Sequence, residues 1–155
     1  MKVFADTNFY TNLWLELPET DQAQALYDEL QEAQSVLPVT RLLRLELTNA
    51  FQRLVYESRR GSQFMRVTRE AALLARGNVD AELDVGDFLE WRPIPDDALE
   101  AHFETLAYRH TAKEGFRTYD ILHVASALVL GCDTFWSFDA RAKKLAKLEG
   151  LRTNP

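Results

Sequence analysis

The sequence is poor in cysteine, in positive charge and in long apolar runs, and each shortage excludes a class of protein. One cysteine, Cys132, among 155 residues cannot build an internal disulfide framework or a cysteine-rich zinc site. Eighteen Lys and Arg against 24 Asp and Glu give a formal net charge of −6, which argues against a protein that coats nucleic acid through bulk positive charge. No apolar run approaches the roughly 20 residues that span a bilayer. The chain also reaches an acid, Asp6, too soon for a signal peptide, so we expect no membrane segment and a reducing cytoplasmic location.

Length and composition indicate one globular domain over residues 1–155. The composition is ordinary for such a domain, with 46% hydrophobic and 27% charged residues. A domain of this size buries about 68–70% of the surface that its unfolded chain exposes. It therefore needs no disulfide or structural metal in order to fold.

Short apolar segments alternate with longer segments of helical periodicity along the whole chain. The predicted strands cover residues 2–5, 35–39, 88–91, 133–138 and 150–153. Thr40 is predicted to cap a long helix to about residue 57, Ser62 to cap the next one, and Thr118 to cap an apolar helix over residues 119–130. This alternation predicts an α/β fold with a central, mostly parallel sheet of four to five strands, flanked by helices on both faces.

Two acids directly follow predicted strands, at the end where open α/β sheets build their sites. Asp6 follows the first strand, and Asp139 follows the fourth, in Ser137-Phe138-Asp139. Each also precedes a predicted helix, so each carboxylate is equally explained as a helix N-cap.

Two further acids lie on helices where solvated acids are unusual. Glu46 lies about 40° from Ala50 around the long helix and so borders its buried stripe, although a surface pair with Arg53 would explain it too. Asp120 lies in the first turn of the most apolar helix, where the helix dipole favours a carboxylate. His123 is three residues further on the same face; a packed histidine that bonds Asp120 explains it better than a metal ligand does.

Gathering these four acids in one pocket would require a neutralising cation. Two carboxylates about 4 Å apart repel by roughly 4 kcal/mol at an effective dielectric of 20. A hard divalent ion with oxygen ligands, Mg²⁺ or Mn²⁺, is the natural partner. Zinc fits less well because the three histidines lack a zinc-motif spacing.

In this order, the four acids resemble the motif of the PIN-domain ribonucleases, most closely the VapC-type toxins of bacterial toxin–antitoxin pairs. The matching residues are Asp6 and Asn8 after the first strand, Glu46 in the helix after the second, Asp120 within 119–127, and Ser137 with Asp139 after the fourth strand. The resemblance covers essentially the whole chain, and none of the family's acids is missing. It implies a PIN-like fold with the four acids in one pocket.

The resemblance further implies metal-dependent cleavage of RNA, homodimerisation and neutralisation by a small antitoxin protein. Asp6, Asp120 and Asp139 would hold one or two Mg²⁺ or Mn²⁺ ions, and Glu46 would complete the site or orient the attacking water. Asn8 and Ser137 match positions that support the acids.

Basic residues near the acids are candidates for binding RNA phosphates. Arg41, Arg44 and Arg53 flank Glu46, and Arg141 and Lys143 follow Asp139. A solvated basic helix face would explain each of them equally well.

Other acid-dependent folds fit the sequence less well. A haloacid-dehalogenase phosphatase needs Asp-x-Asp where this chain has Asn8, and a response-regulator receiver needs an acid next to Asp6. A ribonuclease-H-like nuclease expects a run of antiparallel strands first. The alternative from another class is a non-catalytic PIN-like interaction module that keeps the acids for folding or partner binding.

Overall fold

The computed structural model describes residues 1–61 and 66–155. In these ranges the chain alternates short strands with helices. In chain order the elements are β1 (Val3–Ala5), α1 (Thr7–Trp14), α2 (Thr20–Glu32), β2 (Leu37–Val39), α3 (Arg41–Arg59), α4 (Arg69–Val85), β3 (Leu89–Trp91), α5 (Asp96–Leu106), a π-helical turn (Ala107–Thr111), α6 (Ala112–Glu114), α7 (Thr118–Val129), β4 (Thr134–Trp136), α8 (Ala140–Leu148) and β5 (Arg152–Thr153). The architecture is the predicted α/β fold.

All strand pairs in the described residues are parallel, and they form two groups. One sheet has the order β1-β4-β5, and β2 pairs with β3 in a second sheet. The predicted single sheet of four to five strands is therefore divided, although β1 and β2 lie side by side.

A proline explains why no ladder joins β1 to β2. Leu37 N–H donates to Phe88 and the Val39 carbonyl accepts from Arg92, so both residues direct their backbone groups towards β3. Pro38, between them, directs its backbone nitrogen to the opposite side, where β1 lies, and it has no proton to donate.

Helices cover the first sheet on both faces, as predicted. All three residues of β1 and all three of β4 are buried. Because alternate residues of a strand point to opposite faces, both faces must be covered. The rings of Phe4 and Phe135 stack on neighbouring strands, and α7 buries seven of its 12 residues.

The helix caps follow the prediction in part. Thr40 caps α3 by accepting the Leu43 N–H at 3.2 Å. The N-cap of α7 is Arg117, one residue before the predicted Thr118, because the Asp120 side chain accepts the Arg117 N–H. The predicted cap Ser62 lies outside the described residues, and the helix that follows begins at Arg69. Within 1–61 and 66–155, no helix is long and apolar enough to cross a membrane.

The carboxyl ends of β1 and β4 are joined by strand pairing and a backbone hydrogen bond. Ala5 is in register with Trp136, and the N–H of Asp6 donates to the Trp136 carbonyl at 3.0 Å. The residue after β1 thus lies beside the loop that runs from β4 to Asp139.

Candidate active site

The four predicted acids line one cavity. Its volume is about 530 Å³, and its walls come from the end of β1, from α1, α3 and the start of α7, and from the loop after β4. The lining residues are Asp6, Thr7, Asn8, Thr11, Glu46, Ala50, Arg53, Leu54, Glu57, Arg117, Thr118, Tyr119, Asp120, His123 and Asp139. Residues that are distant in sequence therefore meet at the carboxyl edge of the sheet.

Asp6 is the most enclosed of the four carboxylates. It caps α1 by accepting the Phe9 N–H at 3.1 Å, and only 6% of the residue is exposed. Burial raises its pKa to about 6, although the Ser137 hydroxyl, the charge of His123 and the Phe9 N–H all act in the opposite direction. Asp6 is therefore the N-cap of α1 and also lines the cavity.

Glu46 is held by two neighbours from other helices. Its Oε2 accepts a hydrogen bond from Thr7 Oγ1 at 2.5 Å and is also bonded to His123 Nε2. Burial acts to raise its pKa, but His123 and Thr7 outweigh burial, so the pKa of Glu46 is lowered. Glu46 is thus kept ionised and fixed in orientation, and the surface pair with Arg53 does not form: Arg53 bonds Glu57 at 2.8 Å.

Asp120 and Asp139 share one guanidinium. Arg117 donates from Nε to Asp120 at 3.1 Å and from Nη2 to Asp139 at 2.7 Å. The Asp139 carboxylate also caps α8 through the Arg141 N–H at 2.7 Å. Burial acts to raise the pKa of Asp139, but the hydrogen bonds from the Arg141 N–H and from Arg117 lower it.

The two predicted supporting residues connect the loop after β4 to the site. Asn8 Oδ1 accepts the Phe138 N–H at 3.1 Å, which joins α1 to this loop. Ser137 Oγ accepts the Asp139 N–H at 2.9 Å, and its own proton is then available for Asp6.

Of the predicted phosphate-binding residues, Arg53 lines the cavity and the other four do not. Arg41 and Arg44 line another groove, where Arg44 pairs with Asp80 and stacks over the ring of Trp91. Arg141 and Lys143 reach backbone carbonyls, of Gly115 at 3.1 Å and of Pro155 at 2.8 Å.

Three cavity residues that bond the acids had no assigned role in the site from sequence alone. They are Thr7, Arg117 and His123. His123 bonds Glu46 instead of the expected Asp120. The pairing of Arg117 with Asp120 has a signal in the sequence, since residues three apart on a helix face each other. Nothing comparable in the sequence points to the contact of Arg117 with Asp139.

The donor chemistry of the cavity suits a hard divalent cation. Its acids offer only carboxylate oxygens, and Asp6, which contacts no cationic side chain in the described residues, has a raised pKa because its charge is buried. In the same residues, no three His, Cys, Asp or Glu side chains are arranged as a ready metal-ligand set. The carboxylates are instead turned towards Arg117, His123 and Thr7. A cation here would have to draw them inward.

The fold is similar to those of several solved structures. VapC20 of Mycobacterium tuberculosis, a toxin that cleaves the sarcin–ricin loop, has a TM-score of 0.65 and 17% identity, with 99% of each chain covered. VapBC2 of Rickettsia felis has a TM-score of 0.67 and 13% identity, covering 99% of this chain and 98% of that one. FitAcB of Neisseria gonorrhoeae has a TM-score of 0.60 and 14% identity, covering 99% and 96%. At such identities these similarities concern the fold.

Sequence comparison identifies the family. No curated protein is similar enough in sequence to count as a relative. The model of the PIN domain, however, matches residues 3–148, which is nearly the whole chain and includes all four acids. This chain belongs to the PIN domain family.

Proposed function

We propose that this protein is a metal-dependent endoribonuclease and the toxin of a type II toxin–antitoxin pair. The observation that carries the proposal is that Asp6, Glu46, Asp120 and Asp139 line one cavity beside the joined ends of β1 and β4. Membership of the PIN family and the folds of the VapC and Fit structures support it.

Each acid has a proposed part in hydrolysis. Asp6, Asp120 and Asp139 would hold one or two Mg²⁺ or Mn²⁺ ions, which when bound supply Lewis-acid activation of water and of the scissile phosphate. Glu46, kept ionised by His123 and Thr7, accepts a hydrogen bond from the attacking water and orients it. Asn8 and Ser137 hold the loop that carries Asp139. The RNA phosphates would lie at the open, arginine-lined rim of the cavity.

The proposal is tested by RNA cleavage with purified protein free of any antitoxin. Wild type should cut RNA in Mg²⁺ or Mn²⁺ and stop in EDTA, and Asp6→Asn and Asp120→Asn should be inactive. Sarcin–ricin-loop RNA belongs among the substrates because VapC20 cleaves that loop. Asp133→Asn is the matched control, since Asp133 carries the same charge at the opposite end of β4. Cleavage that continues unchanged in EDTA and in Asp6→Asn would refute the proposal.

The proposed partners are an antitoxin and a second copy of the chain. Structures of VapBC2 and FitAB contain both components of a pair, which supports a small antitoxin as the binding partner here. Co-expression with the neighbouring short reading frame should yield a stable complex. Light scattering should show a homodimer of the free protein. With one cysteine in 155 residues, the chain suits the reducing cytoplasm that we propose as its location.

The second candidate is a non-catalytic interaction module. It is favoured by the bonds that Arg117, His123 and Thr7 make to the acids, because such bonds could exist for folding alone. Expression in a bacterial host separates the two functions. A nuclease toxin should arrest growth as wild type and not as Asp6→Asn, whereas an interaction module should affect growth equally in both forms.

A further inference from the structure

Arg117 lies between two of the proposed metal ligands. Its Nε and Nη2 reach Asp120 at 3.1 and 3.3 Å, and Nη2 also reaches Asp139 at 2.7 Å. These bonds raise the pKa of Arg117, so the guanidinium is a permanent charge at this position. One arginine thus bridges two acids that come from different elements.

The backbone of Arg117 is held in the helix cap, whereas its side chain is largely exposed to solvent. Its N–H is held by Asp120 at the start of α7, which anchors the residue at the rim of the cavity. The side chain is 60% exposed, and ion pairs with that much solvent are weak and easily exchanged. The guanidinium can therefore leave the two carboxylates without disturbing the helix.

A guanidinium and a divalent cation compete for these carboxylates. Arg117 already bonds both Asp120 oxygens and Asp139 Oδ2, and the two positive charges would repel each other at that distance. The described structure shows the arginine-bound arrangement, with Asp120 and Asp139 turned towards Arg117. An ion that binds these acids therefore competes with the arginine for the same oxygens.

We propose that Arg117 is a displaceable internal counter-ion that becomes an RNA phosphate ligand. In the metal-free protein it bridges Asp120 and Asp139 and offsets part of their negative charge. When a divalent ion takes the acids, the guanidinium turns to the RNA phosphate beside them, whose oxygens match its planar fork. The inference rests on the proposed nuclease function. It predicts that Arg117 weakens metal binding and at the same time promotes RNA cleavage.

Other cations near the cavity are less suited to this exchange. Arg53 lines the cavity but bonds Glu57 on its own helix. Arg141 bonds the Gly115 carbonyl. Among the arginines that the structure describes, Arg117 is thus the one that bonds two of the proposed metal ligands directly.

The test compares metal binding and cleavage in the same variants. Isothermal titration with Mn²⁺ alone, without RNA, should give a dissociation constant about two- to fivefold lower in Arg117→Gln than in wild type, as expected for the loss of a competing exposed ion pair. Single-turnover RNA cleavage at saturating Mn²⁺ should nevertheless be slower, by about tenfold or more, because a charged hydrogen bond to phosphate is lost. A simple structural defect would weaken both.

The matched control is Arg152→Gln. Arg152 has a similarly exposed side chain, 67%, and pairs with Asp133 at the same 2.7 Å, but at the opposite end of the sheet. It should change neither measurement. Arg117→Lys keeps the positive charge but loses the planar guanidinium. Its Mn²⁺ binding should therefore stay as weak as that of wild type, and its RNA cleavage should still be slow.

The outcomes separate this inference from the function on which it rests. If wild type binds Mn²⁺ and cleaves RNA, but Arg117→Gln binds Mn²⁺ no more tightly, the inference is wrong and the nuclease function stands. If wild type neither binds Mn²⁺ nor cleaves RNA, both are wrong. Tighter binding together with slower cleavage supports both.

Discussion

His123 and Glu46, 77 residues apart in sequence, are hydrogen-bonded through His123 Nε2 and Glu46 Oε2 inside the acidic cavity. The bond joins α7, which carries Asp120, to α3. Thr7 Oγ1 donates to the same carboxylate oxygen and brings in α1 directly after Asp6. Three helices thus position one carboxylate, which links the packing of the fold to the geometry of the site.

The first prediction is that His123 acts on cleavage through Glu46. His123→Ala should lower kcat about tenfold or more with little change in KM, because Glu46 loses a partner that orients it. Glu46→Gln should also lower kcat. The double variant should be no slower than Glu46→Gln alone, since the two residues act as one unit. Steady-state kinetics on one RNA oligonucleotide measures all four proteins.

The double variant also separates two effects of His123→Ala, the loss of orientation of Glu46 and the loss of packing in the core. His123 is buried next to the ring of Phe4, so its truncation will lower the free energy of unfolding by about 1–3 kcal/mol. Additive losses of kcat in the double variant would show that His123 acts on activity independently of Glu46.

The second prediction is that the metal-free protein becomes more stable when Asp6 is made neutral. The pKa of Asp6 is raised to about 6 in the folded protein, so the folded chain binds this proton more tightly than the unfolded chain. The contribution of Asp6 to the free energy of unfolding is therefore greatest below pH 4, and it is lost as the pH rises towards 6. At pH 7 in EDTA, the free energy of unfolding of Asp6→Asn should be about 1–3 kcal/mol higher than that of wild type. Asparagine still caps α1.

Urea denaturation at pH 4.5 and pH 7 measures this difference. The advantage of Asp6→Asn should be small at pH 4.5 and large at pH 7. Asp133→Asn should behave in the opposite way at pH 7, because hydrogen bonds from Thr134 and Arg152 lower the pKa of Asp133 to about 2. An Asp6→Asn protein that is less stable than wild type at pH 7 would contradict the prediction.

The third prediction concerns protection by metal. A Mn²⁺ concentration 100 times the dissociation constant should stabilise wild type by about 2.7 kcal/mol. For a chain of this length, that stabilisation corresponds to a Tm increase of about 5–10 °C. Asp120→Asn should lose most of the increase, and Asp133→Asn should keep it. Thermal unfolding with and without Mn²⁺ measures the effect, and an equal increase in all three proteins would place the ion elsewhere.

The arrangement of the acids could be predicted largely because it follows local rules. Asp6 and Asp139 each follow a buried strand, and parallel strands direct such residues to one edge. Helical phase placed Glu46 at the border of a buried face, and Asp120 lies in the first turn of the most apolar helix. The same phase, applied to basic residues, would have placed Arg53 about 20° from Glu46 and Arg44 about 160° away, which agrees with their positions in the structure.

The contacts between side chains of different elements depend on how the tertiary fold brings those elements together. No local sequence pattern predicts this. His123 faces Asp120 on its own helix but bonds Glu46, because the fold brings side chains of α3 and α7 together at the cavity. The contact of Arg117 with Asp139 likewise requires the loop after β4 to lie beside the start of α7. The split of the sheet at Pro38 depends on which side of β2 faces β1.

The fourth prediction concerns Ser137, whose side chain is fully buried between two of the acids. Ser137→Ala leaves the Asp139 N–H without its acceptor and removes the hydroxyl that lowers the pKa of Asp6. The pKa of Asp6 should then rise further, so that more of it must be deprotonated when metal binds. Mn²⁺ binding should weaken several-fold more at pH 6.5 than at pH 8.

The control is Ser126→Ala, which changes another fully buried serine. Its hydroxyl bonds the Leu122 carbonyl within α7, so this variant should not show the pH dependence. Titration calorimetry at both pH values makes the comparison. Because loss of the loop contact alone would weaken binding equally at the two pH values, the difference between them isolates the effect on Asp6.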